Sequence, residues 1–209
     1  MIGIIDYKAG NLASVRNACR RLEMDCFVSS KPNELERADG IIFPGVGHAE
    51  AAMNALSEVE LDVFLRQTHQ PVLGICLGMQ LLFSSSEEST KACLGLIDGR
   101  LHKFDSAISK VPHMGWNTVD ICSDHPLVSG LGTHPWFYFV HSYYAPLAEY
   151  TLGTCEYQTG FSAIVASRNF MGVQFHPEKS GKSGEKLLLN FFQMVTGKTA
   201  TPNVKSEIS

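Results

Sequence analysis

Gly74-Ile75-Cys76-Leu77-Gly78 follows the apolar pair Val72-Leu73 and precedes Met79-Gln80-Leu81-Leu82-Phe83. That order reads as a strand, a sharp turn and an immediate helix, with a cysteine at the apex: a nucleophile elbow. The glycines on either side let the chain crowd together, which leaves the apical side chain strained and exposed. At a helix N-terminus, unpaired N–H groups and the helix dipole favour a thiolate. The chemistry this supports is attack by Cys76 sulfur on an electrophilic carbon.

A thiol nucleophile needs a base, and the base needs an orienting group. Of the eight histidines, His176 stands apart because it follows a predicted strand over 171–175 and precedes Pro177-Glu178. In an extended segment residues i and i+2 face the same way, so Glu178 is expected beside the His176 ring. His176 would then be the acid–base and Glu178 its orienter. Taken alone, His-x-Glu also describes a surface histidine beside a solvated glutamate, and the elbow is what gives it weight. An anionic intermediate needs donors as well. In an elbow the N–H after the nucleophile, here that of Leu77, points toward the oxyanion. Pro44-Gly45-Val46-Gly47 is the second candidate, because its glycines permit peptide orientations that expose N–H groups; a simple turn is the competing reading.

The surrounding pattern shows what must position these groups. Strands are expected over 2–5, 26–28, 41–43 and 72–75. Helices are expected from Asn11, a plausible N-cap, to about 22, then from Lys31-Pro32, over 49–56, over 59–67 and from 77 to about 83. Residues 44–47 read as a tight loop. This alternation predicts an α/β fold with a mostly parallel central sheet flanked by helices. The second half adds strands over 99–104, 115–121, 136–140, 152–157, 161–166 and 171–175 with few helices between them, so an additional antiparallel group should join the parallel sheet. A helix over 185–195 closes the pattern, and 199–209 lacks apolar periodicity and is expected to be disordered. One domain over 1–198 is the reading, without internal repeat or linker.

Composition excludes several classes. The 209 residues suit a single α/β domain, and 44% hydrophobic with 18% charged residues describe a globular chain. A net charge of -4 without a basic run argues against nucleic acid as a partner. No apolar stretch approaches the roughly 20 residues of a membrane span, and the N-terminus lacks the basic start of a signal peptide. The six cysteines are irregularly spaced without a C-x-x-C pair, which argues against a disulfide framework and a zinc site. A cytoplasmic location follows.

The quoted segments Pro44–Gly47, 74–80 and 172–178 resemble the oxyanion loop, nucleophile and His–Glu segments of the class I glutamine amidotransferases. Further stretches resemble one branch of that family, the glutaminase subunits of imidazole glycerol phosphate synthases. They are Asp6-Tyr7 with Gly10-Asn11-Leu12, Pro112-His113-Met114-Gly115-Trp116-Asn117, Tyr138-Phe139-Val140-His141-Ser142-Tyr143-Tyr144, and Lys179-Ser180 after Glu178. The resemblance implies a flavodoxin-like sheet and hydrolysis of L-glutamine through a Cys76 thioester, with no metal and no organic cofactor. It implies that Gln80, Ser142 and Tyr143 hold the glutamine. It also implies a partner, the (β/α)8-barrel cyclase subunit of imidazole glycerol phosphate synthase, docked on a face including Asn11, Trp116, Tyr144 and Lys179. No phosphate-cradling loop for an acceptor substrate is present in this chain, in keeping with ammonia leaving for another subunit. The pattern departs at Lys8, where the family usually has glycine and where a positive φ would strain lysine, and at Ala49, where a larger aromatic is common. A glutaminase serving another acceptor is the nearest alternative. A cysteine α/β-hydrolase is a more distant one, because its acid would precede its histidine.

Overall fold

The computed structural model describes residues 1–8 and 11–198. Gly10 and the tail over 199–209, expected to be disordered, lie outside the described residues. The first half runs β1 (Ile2–Ile5), α1 (Leu12–Arg21), β2 (Cys26–Ser29), α2 (Pro32–Leu35), β3 (Gly40–Gly45), α3 (Ala49–Glu58), α4 (Leu61–Gln67), β4 (Val72–Cys76) and α5 (Leu77–Leu81). The second half adds β5 (Ser85–Ser86), β6 (Arg100–Lys103), β7 (His113–Thr118), β8 (Asp120–Ile121), β9 (Trp136–His141), β10 (Tyr143–Tyr144), β11 (Thr151–Glu156), β12 (Gly160–Ser167), β13 (Phe170–Val173) and α6 (Gly181–Thr196).

The main sheet has eight strands in the order β2-β1-β3-β4-β13-β12-β11-β8. The five from β2 to β13 are mutually parallel, and β12, β11 and β8 continue antiparallel. Parallel strands covered on both faces should be apolar throughout, and β1, β3, β4 and β13 are buried at every position. Two apolar clusters fill the faces. One joins α1 and α6 to β9 through Val15, Phe137, Phe139 and Leu188; the other packs α3, α4 and α5 through Leu56, Leu65 and Leu81. Asn11 caps α1, its side-chain oxygen accepting from the Ser14 amide at 3.4 Å.

Several expected boundaries move. Residues 44–47 are not all loop: β3 continues through Pro44 and Gly45, which pair with Ile75 and Cys76, so only Val46 and Gly47 are left to turn. The strand expected over 115–121 divides into β7, which pairs with β9, and β8, which pairs with β11 in the main sheet. The antiparallel strands are therefore not all joined to the main sheet: β7 with β9 forms a separate ribbon, and β10, β6 and β5 a further small sheet. Lys8 does sit at φ 62, with its amide donating to the Asp6 carboxylate at 3.0 Å.

Glycine is required where the elbow meets β3. A Cβ on Gly78 would lie 1.8 Å from the Phe43 carbonyl oxygen, and one on Gly74 would lie 2.7 Å from the Met79 backbone. Neither obstacle is a flexible side chain, so nothing can yield locally. Gly78→Ala is expected to destabilise the protein by at least about 3 kcal/mol, the upper range for overpacking. Urea denaturation checks this; a midpoint equal to that of the unaltered protein would contradict the packing described.

Candidate active site

β4 ends at Cys76 and α5 begins at Leu77, so the chain reverses character within one residue. Cys76 absorbs the turn with φ 54 and ψ -110, a conformation costly for any residue but glycine. Its side chain makes no cap hydrogen bond to α5, which leaves it free for chemistry. The first N–H of the helix, that of Leu77, has no intrahelical acceptor.

The sulfur has three polar neighbours. Its thiol donates to the Val140 carbonyl at 3.7 Å, and the Gln174 carboxamide nitrogen approaches it at 3.9 Å. The third is the His176 ring, which lines the same cleft as the sulfur and whose charge the sulfur favours. His176 Nδ1 lies 2.9 Å from Glu178 Oε1, so Nε2 is the nitrogen left to face Cys76. Both side chains are withdrawn from solvent, at 5% exposure for His176 and 1% for Glu178. Burial disfavours the imidazolium, but the hydrogen bonds and charges of Cys76 and Glu178 outweigh it and raise the His176 pKa to about 10.

The reason for the His176–Glu178 contact differs from the expected one. Residues Pro177–Lys179 form a 3-10 turn, not an extended segment, and that turn folds Glu178 back under the ring. The segment is pinned to β9: the His176 amide donates to the Tyr138 carbonyl at 2.9 Å, and the Ser180 hydroxyl bridges the His176 carbonyl at 2.6 Å and the Tyr138 amide at 3.0 Å.

Cys76 and His176 open into a cleft of about 350 Å³ that Val46, Gly47, Leu77, Gln80, Ser142, Tyr143 and Lys179 also line. Gly45 lies behind it, in strand, where a Cβ would strike the Tyr7 hydroxyl at 2.6 Å. Gly47 has φ 102 and open space around its Cα, and Val46 is 41% exposed, so the oxyanion segment is reduced to a short free turn. The cleft carries one carboxylate, Glu88, and one ammonium, Lys179. That charge pattern suits a zwitterion.

Of the expected docking residues, Trp116 is 53% exposed on the outer side of β7, edge-on to Tyr138 at 6.1 Å. Lys179 is exposed at the cleft rim, and Asn11 is half-buried in its capping role. Tyr144 is half-buried, its ring stacked on Phe104 at 4.6 Å.

Three polar residues join the site that the sequence pattern alone did not single out. Gln174 is fully buried next to the sulfur. Its signal was a carboxamide in an apolar strand end two positions before His176, which alternation places on the same side. His113 and His141 stand directly opposite each other on β7 and β9. His141 Nδ1 donates to the Tyr143 carbonyl at 2.8 Å, so its Nε2 accepts from His113 Nδ1 at 2.9 Å. Burial keeps both neutral, pulling the His113 pKa to about 4 and the His141 pKa to about 3.

The site is a strained cysteine elbow on a parallel sheet, with a buried His–Glu pair beside it. The model of the class-I glutamine amidotransferase family matches residues 3–195, and the chain belongs to that family. Among solved structures it resembles a glutamine amidotransferase (TM-score 0.72, 17% identity, 94% of this chain and 99% of that one) and PurLQS from Thermotoga maritima (TM-score 0.67, 18% identity, 92% of this chain and 97% of that one), likenesses of fold alone. Curated relatives are nearer. The imidazole glycerol phosphate synthase subunit HisH of Bacteroides fragilis is 45% identical over 92% of this chain and 99% of its own length. The subunit HisH of Shewanella loihica is 46% identical over 94% of this chain and 92% of that protein. Within its class the chain therefore belongs to the HisH family, the glutamine amidotransferase subunits of histidine biosynthesis.

The His176–Glu178 pair has a pH signature. Because the folded pKa lies above the ordinary 6.5, the pairing stabilises the protein fully below 6.5 and is lost as pH rises through about 10. Glu178→Gln removes the carboxylate's share. Urea midpoints of the two proteins are expected to differ most just below pH 6.5 and to converge toward pH 10; a gap that widens with pH would contradict the pairing.

Proposed function

We propose that Cys76, His176 and Glu178 form the catalytic triad of a glutaminase that acts on L-glutamine in the cleft described above. The observation that carries this reading is the His176 ring, held 2.9 Å from a buried carboxylate and opening with Cys76 onto one cleft. The Cys76 proton passes to His176, the sulfur adds to the side-chain amide carbon, and the carbonyl electrons move onto oxygen. The N–H of Leu77, with a peptide N–H of the Gly45-Val46-Gly47 segment, stabilises that oxyanion. The His176 imidazolium gives its proton to the departing nitrogen, the carbon–nitrogen bond breaks, and ammonia leaves a glutamyl thioester. His176, now neutral, takes a proton from water, the hydroxide displaces the sulfur, and glutamate is released with the proton back on His176. Glu178 holds the ring in orientation and supports its charge.

Gln80, Ser142 and Tyr143 hold the amino-acid end of the substrate, while Glu88 and Lys179 offer the two charges a zwitterion needs. Residues 1–198 act as one glutaminase domain that needs no metal and no organic cofactor. Ammonia passes to a (β/α)8-barrel cyclase subunit, which makes imidazole glycerol phosphate and aminoimidazole carboxamide ribotide. The docking face includes Asn11, Trp116, Tyr144 and Lys179. An exposed tryptophan packed edge-on to Tyr138 supports this, since aromatic anchors that become buried dominate the energetics of interfaces. Partners from nucleic acid or membrane are not part of the reading: the net charge is -4, and no helix among the described residues is long and apolar enough to cross a membrane. Six free cysteines fit a reducing, cytoplasmic setting.

The test uses the complex with its cyclase. Cys76→Ala is expected to lower glutamine-dependent synthesis by at least about a thousandfold, the scale of a removed nucleophile, while synthesis from added ammonia continues at the original rate. Loss of both activities, or retention of the glutamine-dependent one, would overturn the assignment.

A further inference from the structure

Gln174 contributes nothing to the triad as described, yet it is a fully buried carboxamide beside the reacting atom. A buried amide must satisfy its polar atoms within the protein. Which of its ends faces the sulfur follows from a neighbour that admits no ambiguity. The Tyr143 backbone carbonyl can only accept, and the Gln80 side chain reaches it at 3.0 Å, so the Gln80 atom there must be its NH2. The same nitrogen lies 3.0 Å from the Gln174 side chain. Gln174 must therefore present its oxygen to Gln80, which leaves its own NH2 aimed at Cys76 Sγ, 3.9 Å away.

We infer that Gln174 is a second hydrogen-bond donor to the Cys76 sulfur, with its polarity set by Gln80 and the Tyr143 carbonyl, and that it stabilises the thiolate through the catalytic cycle. This rests on Cys76 being the nucleophile proposed above. The sulfur then sits between opposed partners. The Val140 carbonyl accepts from the thiol and favours the protonated form; the His176 ring and the Gln174 amide donate and favour the anion. His176 leaves this arrangement when it hands its proton to ammonia. Gln174 cannot lose its proton, so it is the donor that persists when the sulfur departs from the thioester. The backbone holds it in place, its amide donating to the Ala163 carbonyl at 2.9 Å.

The Tyr143 carbonyl is the hub of this arrangement. It accepts from Gln80 and also from His141 Nδ1 at 2.8 Å, and His113 and Asn117 continue the chain behind His141. The segment 142–143 lines the substrate cleft. A shift of that carbonyl changes where Gln80 holds the Gln174 oxygen, and so how the donor meets the sulfur.

The test reads the sulfur directly. Iodoacetamide alkylation of Cys76, followed across pH by mass spectrometry of its peptide, is compared between the native protein and Gln174→Met. The variant is expected to alkylate about fivefold more slowly at neutral pH, as for loss of a weak hydrogen bond to a charged group. Its profile should shift to higher pH and reach the same limiting rate at high pH, with kcat lowered in the cyclase complex. A profile that does not move, or a limiting rate that falls with an unmoved midpoint, would overturn the proposal. If Gln174→Met fails to fold, the native protein still decides: the side-chain amide protons of Gln174 should shift in the NMR spectrum with the same pH midpoint as Cys76 alkylation. Amide signals indifferent to that titration would refute a bond to the sulfur. Failure of the triad assignment would show separately, as glutaminase activity surviving in Cys76→Ala.

Discussion

The close approach of α5 to β3 governs the rest of this structure. Gly78 lies so near the Phe43 carbonyl that a single methyl group would overlap it, and Gly74 meets the backbone of Met79 as tightly. These contacts compress the strand-to-helix turn until Cys76 must adopt a positive φ. Sparsely populated backbone of this kind, here φ 54 with ψ -110, costs roughly 1–3 kcal/mol. The buried strands on either side supply it, since β4 is paired with β3 and β13 along its length. What the strain achieves is placement: the sulfur leaves the sheet edge level with Gly45 on one side and with the segment after β13 on the other. The Val46-Gly47 turn and His176 follow the two strands that flank β4, so one compressed turn sets the geometry of all three.

Around the sulfur, polarity is organised by backbone carbonyls whose roles cannot reverse. The Val140 and Tyr143 oxygens accept only, and from them the orientation of Gln80, Gln174, His141 and His113 follows without appeal to any hydrogen position. His176 is different: burial works against its charge, but the contacts with Cys76 and Glu178 outweigh it. The paired histidines remain neutral only a few residues away. Burial and partner chemistry thus push the pKa of His176 up and those of the His113–His141 pair down.

Much of this was legible in the residues. The elbow could be read because glycine spacing and an apolar strand leave few alternatives for the residues around Cys76. The parallel half was legible from its alternation of strand and helix. The exact run of the oxyanion segment was not: proline and glycine suggested a loop from Pro44, but ladder pairing to Ile75 and Cys76 extends β3 through both. The His176–Glu178 contact was anticipated for a reason the chain does not use, a 3-10 turn standing where extended alternation was assumed. Strand pairing between β7 and β9, which brings His113 onto His141, depends on contacts far apart in sequence and left no local trace. Gln174 was hidden in plain view, because a lone glutamine gives no hint of burial until its partners are known.

The central claim is that Cys76 carries the glutamyl group between ammonia release and hydrolysis. The most direct test mixes the cyclase complex with L-glutamine, quenches it in acid during turnover, and examines the peptide containing Cys76 by mass spectrometry. The account predicts a glutamyl adduct on Cys76, labile to hydroxylamine as a thioester must be, that forms before glutamate accumulates. Steady turnover without an adduct at any time, or an adduct on another residue, would contradict it.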